Sequence, residues 1–203
     1  MNDLEAMVLV VDDDPTFRLS MERFLRVAGF QSKSFASARE FLDYAPDDCP
    51  TCALIDLRMP DMDGLELQRE LRRTGRKYAL VFLSGHGGVK VTAEAMKGGA
   101  VDFLEKPFDE ASLLDAIERA LTRDAAIRAE LTAKADARAR LARLSTAEFQ
   151  VCELLASGLR NKEIAAALGK AEGTIRVQHW AAMGKLGVSS PMEIAELLKL
   201  ADR

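Results

Sequence analysis

The chain has 203 residues, of which 48 % are hydrophobic and 30 % charged, with a formal net charge of −4. These proportions fit a folded protein of one large or two smaller domains and exclude disordered and fibrous classes. No apolar run reaches the ~18–20 residues of a membrane span and no signal-peptide pattern opens the chain. Three cysteines without a framework fit a reducing cytoplasm, the expected location.

Charge is unevenly placed. Residues 1–122 carry 15 basic and 22 acidic groups, residues 123–144 carry 6 and 3, and residues 145–203 carry 7 and 7. The acidity belongs to the first part, and composition alone does not point to nucleic acid.

Residues 1–122 read as alternating strands and helices. Met7–Val11 is a short apolar run. Pro15, after three aspartates, can open a helix reaching Gly29, with Phe17, Met21, Phe24 and Leu25 on one buried face. Gln31–Phe35 alternates as an edge strand does, and Ser37–Tyr44 is a short helix ended by Pro46. Cys52–Leu57 is a continuous apolar run, the pattern of a central strand buried on both faces. Gly64–Arg73 follows as a helix, Tyr78–Leu83 as another central strand, Val89–Lys97 as a helix and Val101–Leu104 as the last strand. Five strands alternating with helices predict an α/β fold, a five-stranded parallel doubly wound sheet.

Asp109 can cap a helix from Glu110 with little reason to stop before about Leu144. Its apolar stripe of Leu113, Ile117, Ala120, Ile127, Leu131 and Leu141 is interrupted by Asp124, Lys134 and Arg138. Those charges do not suit a coiled-coil seam, so 123–144 is read as a helical linker with weak dimer contacts. Ser145-Thr146-Ala147-Glu148 is a capping box for a helix with Phe149, Cys152, Leu154 and Leu155 inward, ended by Gly158. Asn161–Leu168 and Glu172–Leu186 are two further helices, and Ser190-Pro191-Met192-Glu193 opens the last. Residues 145–203 are therefore a small all-α, four-helix unit.

In a parallel sheet, ligands bind beyond the carboxyl ends of the strands. Asp12, Asp13 and Asp14 follow the first strand, Asp56 the third, Ser84 the fourth and Lys106 the fifth. Together these carboxylates suit Mg²⁺, which takes oxygen ligands. Asp56 would be a nucleophile forming an acyl phosphate, with Lys106 and the Ser84 hydroxyl on the phosphoryl oxygens. His86 is expected to tune access to this pocket rather than bind metal. Cys49-Pro50-Thr51-Cys52 has redox-motif spacing but precedes a strand, so it is read as coincidence.

Val11-Asp12-Asp13, the loop from Asp56 to Gly64, Ser84-Gly85 and Lys106-Pro107-Phe108 make residues 1–122 resemble a response-regulator receiver domain. The resemblance implies that Asp12 and Asp13 form an acid pair and that a histidine kinase phosphorylates Asp56. It also implies Mg²⁺ on Asp13, Asp56 and the Arg58 backbone carbonyl, with Asp12 in the same acidic pair, and often a cis Lys106–Pro107 peptide. The family's switch couples Ser84 to Phe103, which has no hydroxyl here. No turnover of a separate substrate is expected.

Leu144–Glu148, Gly158–Ala165, Thr174-Ile175-Arg176-Val177 and Lys185-Leu186-Gly187-Val188 make residues 145–203 resemble the LuxR-type helix-turn-helix domain of the FixJ/NarL class. The resemblance places Glu172–Leu186 in the major groove of promoter DNA, with Arg176, Val177 and Trp180 toward the bases. Asn161, Lys162, Thr174, His179 and Lys185 become candidate phosphate contacts. Trp180 has an alternative role in packing against the linker or receiver. Ala171 stands where the family usually has a capping serine. With zero net charge over this unit, phosphate affinity calls for a homodimer.

The implied whole is a phosphorylation-controlled transcriptional regulator. One alternative is an output unit used for protein–protein contact. Another is a haloacid-dehalogenase-like phosphatase with Asp12 in an Asp-x-Asp-x-Thr motif, which needs a further acidic strand end.

Overall fold

The computed structural model describes residues 6–45, 49–85 and 88–202; Pro46 and His86 lie outside them. The chain divides into two compact units, with the boundary between Arg128 and Ala129.

In the first unit the strands are β1 (Met7–Val11), β2 (Gln31–Phe35), β3 (Thr51–Asp56), β4 (Ala79–Ser84) and β5 (Asp102–Glu105). All pairings are parallel, in the order β2-β1-β3-β4-β5. The order reverses between β1 and β3, which opens a crevice at their carboxyl ends. Register brings those ends level: Val11 lies beside Ile55, Asp56 beside Leu83, and Ser84 beside Glu105.

The strands alternate their side chains between two cores. Leu9, Val11, Ala53, Ile55, Leu80 and Phe82 face a core shared with α2 (Ala38–Asp43), α3 (Gly64–Arg73) and α4 (Val89–Lys97). Val8, Val10, Cys52, Leu54, Val81 and Leu83 face one shared with α1 (Pro15–Val27) and α5 (Glu110–Leu141). Met21 and Leu25 are buried on α1, while Phe17 and Phe24 only edge the core. Asp14 caps α1 by accepting from the Thr16 amide at 2.8 Å, ahead of Pro15.

Helix α5 is continuous across the boundary and contributes to each unit. Leu113, Ala116, Ile117 and Ala120 are buried in the first. Asp124, expected to interrupt the apolar stripe, is itself only 2 % exposed. It accepts from the Thr51 amide at 2.9 Å and from Arg128 Nε at 2.6 Å, tying the helix to the start of β3. In the second unit Ala137 is buried, and Arg140 Nε donates to the Leu186 carbonyl at 2.8 Å.

The second unit adds α6 (Thr146–Ala156), α7 (Asn161–Leu168), α8 (Glu172–Leu186) and α9 (Pro191–Asp202). The Ser145–Glu148 capping box opens α6. Val151, Cys152 and Leu155 are its buried apolar positions; Phe149 and Leu154, expected inward, are half-buried. Gly169 and Gly187 end α7 and α8 in left-handed conformation. As Ala171 implies, α8 starts without a side-chain cap.

Gly64, the first residue of α3, packs directly on the end of β3. A β-carbon there would lie 2.7 Å from the Asp56 carbonyl oxygen and 3.0 Å from the Phe82 ring. Gly64→Ala is expected to cost about 1–3 kcal/mol through this overpacking. Urea unfolding of the full chain reads it as a lower midpoint.

Candidate functional site

The first cluster is built by four strand ends. Asp12, directly after β1, is 2 % exposed, Asp56 at the end of β3 is 9 % exposed, and Ser84 at the end of β4 is buried. Lys106 follows β5, held there by its amide bonding the Ser84 carbonyl at 2.7 Å, and its peptide to Pro107 is cis. Its Nζ donates to Asp12 Oδ2 at 2.8 Å and to Asp56 Oδ1 at 2.7 Å. The second Asp56 oxygen accepts from the Arg58 amide at 2.6 Å. The other Asp12 oxygen accepts from the Asp14 amide at 2.9 Å.

Burial pushes the Asp12 carboxyl above the ordinary aspartate value, against its bonds to Lys106 and the Asp14 amide; the Asp56 charge adds to the rise. Burial alone would lower the Lys106 pKa. Its bonds to Asp12 and Asp56 outweigh that, and the ammonium titrates above the usual lysine value. Two carboxylates taken out of water thus share one cation, an arrangement that favours a further positive charge.

The donor chemistry fits Mg²⁺, which takes hard oxygens, uses one or two carboxylates and keeps several waters. Asp12 and Asp56 supply such oxygens inside the crevice, while Asp13 is exposed at its mouth. Among the described residues, no three His, Cys, Asp or Glu side chains converge as an ion-holding group. Lys106 joins Asp12 and Asp56, while the Asp13 side chain is exposed.

Phe103 is half-buried against the α3–α4 core, its ring centroid 6.3 Å from that of Phe82. Two neighbours of the site were not singled out by the sequence. Phe17 lies under Lys106 Nζ, 3.7 Å from ring centroid to nitrogen, and Arg18 Nη1 donates to the Asp12 carbonyl at 2.6 Å. Only their position one helical turn past Asp12–Asp14 could have marked them. Cys52 is fully buried, and burial with the nearby Asp124 charge pushes its thiol far up, away from redox chemistry. The phosphatase alternative lacks its additional acidic strand end: among the described residues the sheet has five strands.

In the second unit α8 presents an exposed face. Arg176 is exposed and pairs weakly with Glu172 at 3.3 Å. Val177 is 67 % and Trp180 81 % exposed. Lys162 and Thr174 are exposed as well.

Three of the expected phosphate contacts have hydrogen-bond partners within the unit. Lys185 Nζ donates to Glu148 Oε2 at 2.6 Å. That same oxygen accepts from the Ser145 amide and hydroxyl at 2.7 and 2.8 Å. His179 Nδ1 and Asn161 Oδ1 are bonded at 3.0 Å, linking α8 to α7. Burial lowers the His179 pKa.

The receiver-domain model of response regulators matches residues 8–118, and the model of bacterial regulatory proteins of the luxR family matches residues 142–198. Nodulation protein W of Bradyrhizobium diazoefficiens is 38 % identical over 198 residues, 98 % of this chain and 86 % of that protein. The transcriptional regulatory protein FixJ of Rhizobium meliloti is 41 % identical over 183 residues, 90 % of each. Among solved structures, the response regulator StyR is similar over 96 % of this chain and 98 % of its own. Its TM-score is 0.88, at 38 % identity.

The bonds to Lys185 and to Ser145 hold the Glu148 carboxyl at a pKa of about 2, below the ordinary 4.5. A depressed carboxylate pKa contributes stability above the unfolded-state value and loses it as pH falls through the folded value. Glu148→Gln should therefore unfold at lower urea than the wild type at pH 7. The gap should close as the pH falls from 4.5 toward about 2.

Proposed function

The chain belongs to the response regulators that join a receiver domain to a LuxR-type helix-turn-helix, and from that membership we propose that phosphorylation of Asp56 controls its binding to promoter DNA. It is a DNA-binding transcriptional regulator similar to FixJ, and its family implies a histidine kinase as phosphodonor. The observation that carries the proposal is the Asp12–Lys106–Asp56 bridge at the carboxyl edge of the sheet.

In this reading an Asp56 carboxylate oxygen attacks the donor phosphorus. A bond forms from that oxygen to phosphorus as the bond to the donor breaks, leaving an acyl phosphate. Lys106, already beside Asp56, holds the phosphoryl oxygens with its ammonium. The Ser84 hydroxyl donates a hydrogen bond to them, and Phe103 repacks in response. Asp12, Asp13, Asp56 and the Arg58 carbonyl would hold Mg²⁺, whose charge screens the acids from the incoming phosphate.

On the output side, α8 enters the major groove with Arg176, Val177 and Trp180 toward the base edges. Lys162 and Thr174 contact phosphates from either side of the turn. The Asn161–His179 and Glu148–Lys185 pairs brace the helix from within the unit. With no net charge over residues 145–203, two copies on adjacent half-sites supply the affinity that one lacks.

Beryllofluoride should raise the operator affinity of the wild type but not of Asp56→Asn; equal responses of the two would refute control through Asp56. Arg176→Ala is expected to weaken specific binding by about 5–150-fold, the equivalent of ~1–3 kcal/mol for a bidentate base contact. A footprint titration at fixed salt reads both.

A further inference from the structure

The edge of the sheet opposite Asp56 carries a cavity that the phosphoryl chemistry does not use. It lies beside Ala79 and Leu80 at the start of β4, and has a volume of about 400 Å³. Small-molecule sites span ~300–1,000 Å³. The turn after α3, the Gly98–Gly99 turn after α4 and the flank of α5 bound it, all within the first unit.

Its lining is chemically one-sided. Tyr78 and Ile127, each only half-buried, give it apolar surface, Arg72, Arg76, Lys77 and Arg123 line it with positive charge, and no acidic residue lines it. This occurs in a unit, residues 1–128, where acids outnumber bases 23 to 17. Neighbouring cations are neutralised: Arg69 pairs with Glu94 at 2.8 Å, Arg73 with Glu70 at 2.7 Å and Arg128 with Asp124 at 2.6 Å. Among the described residues, Arg72, Lys77 and Arg123 have no such carboxylate partner. Arg76 donates to the carbonyls of Leu42 and Tyr44, which fixes its guanidinium without cancelling its charge. Gly75 and Gly99 have φ of +72° and +95°, so their positions favour glycine, and neither adds a side chain to the mouth.

We propose that this cavity is a second anion site, which takes a polyphosphate of nucleotide size, such as a nucleoside diphosphate. Guanidinium forks match phosphate oxygens in bidentate fashion, and a lysine adds a point charge. Arg72, Lys77 and Arg123 supply those donors, Arg76 adds field, and the Tyr78 and Ile127 surface receives the base. Because the site sits at the amino ends of the strands and Asp56 at their carboxyl ends, occupancy of one leaves the other open. The proposal is independent of the assignment of Asp56.

The test is a fluorescence titration of the full-length protein with N-methylanthraniloyl-ADP, without Mg²⁺ and at constant ionic strength, with inorganic pyrophosphate as competitor. Saturable binding displaced by pyrophosphate is expected. It should weaken at least about tenfold in Arg72→Ala/Arg123→Ala, the loss of two charge-assisted contacts, and persist in Arg176→Ala and Asp56→Asn. Circular dichroism checks the fold of the double variant; if it is unfolded, Lys77→Ala at an exposed position must show the weakening instead. Absence of saturation, wild-type affinity in the cavity variants, or loss of binding in Arg176→Ala would each overturn the proposal.

Discussion

One ammonium between two buried carboxylates sets the terms for the rest of the receiver domain. Lys106 reaches both Asp12 and Asp56 because β1, β3 and β5 end level and because the chain after β5 is fixed to Ser84. Burying charges is costly unless they are paired and hydrogen-bonded. Here the pairing is incomplete, with two acids on one cation, and burial makes Asp12 hold its proton more tightly than usual. A phosphoryl group at Asp56 would replace one negative charge by about two. Lys106 would then choose between Asp12 and the phosphate.

The output unit is organised on the opposite principle, with its internal charges satisfied. Glu148 closes a capping box at the start of α6 and takes Lys185 from α8 with the same oxygen, while Asn161 and His179 join α7 to α8. These bonds fix the helix and leave Arg176, Val177 and Trp180 outward. A helix supported from behind and exposed in front can present side chains in fixed register to a groove.

Much of the receiver site was legible because it depends on where apolar runs stop. Asp56 and Ser84 each end a buried strand, and the glycine and proline after Asp56 mark the loop. What stayed hidden depends on partners distant in sequence. Asp124 looked like a break in an apolar stripe, since periodicity treats a carboxylate as outward-facing. Its partner Thr51 lies 73 positions away, and only the fold brings the two together. Lys185 gave no sign of its carboxylate partner, because Glu148 stands 37 positions earlier. Phe17 fitted a helical core pattern equally well whether or not its ring lay under Lys106. The cationic cavity draws on α3, the strand after it and α5, so no single stretch of sequence displays it.

The claim that Lys106 reads the charge on Asp56 is tested most directly by measuring two quantities on Lys106→Met: phosphoryl incorporation from acetyl phosphate, and operator affinity before and after it. Asp56 should still become labelled while operator affinity stays at its unphosphorylated level. A rise in affinity equal to that of the wild type, at equal labelling, would contradict it.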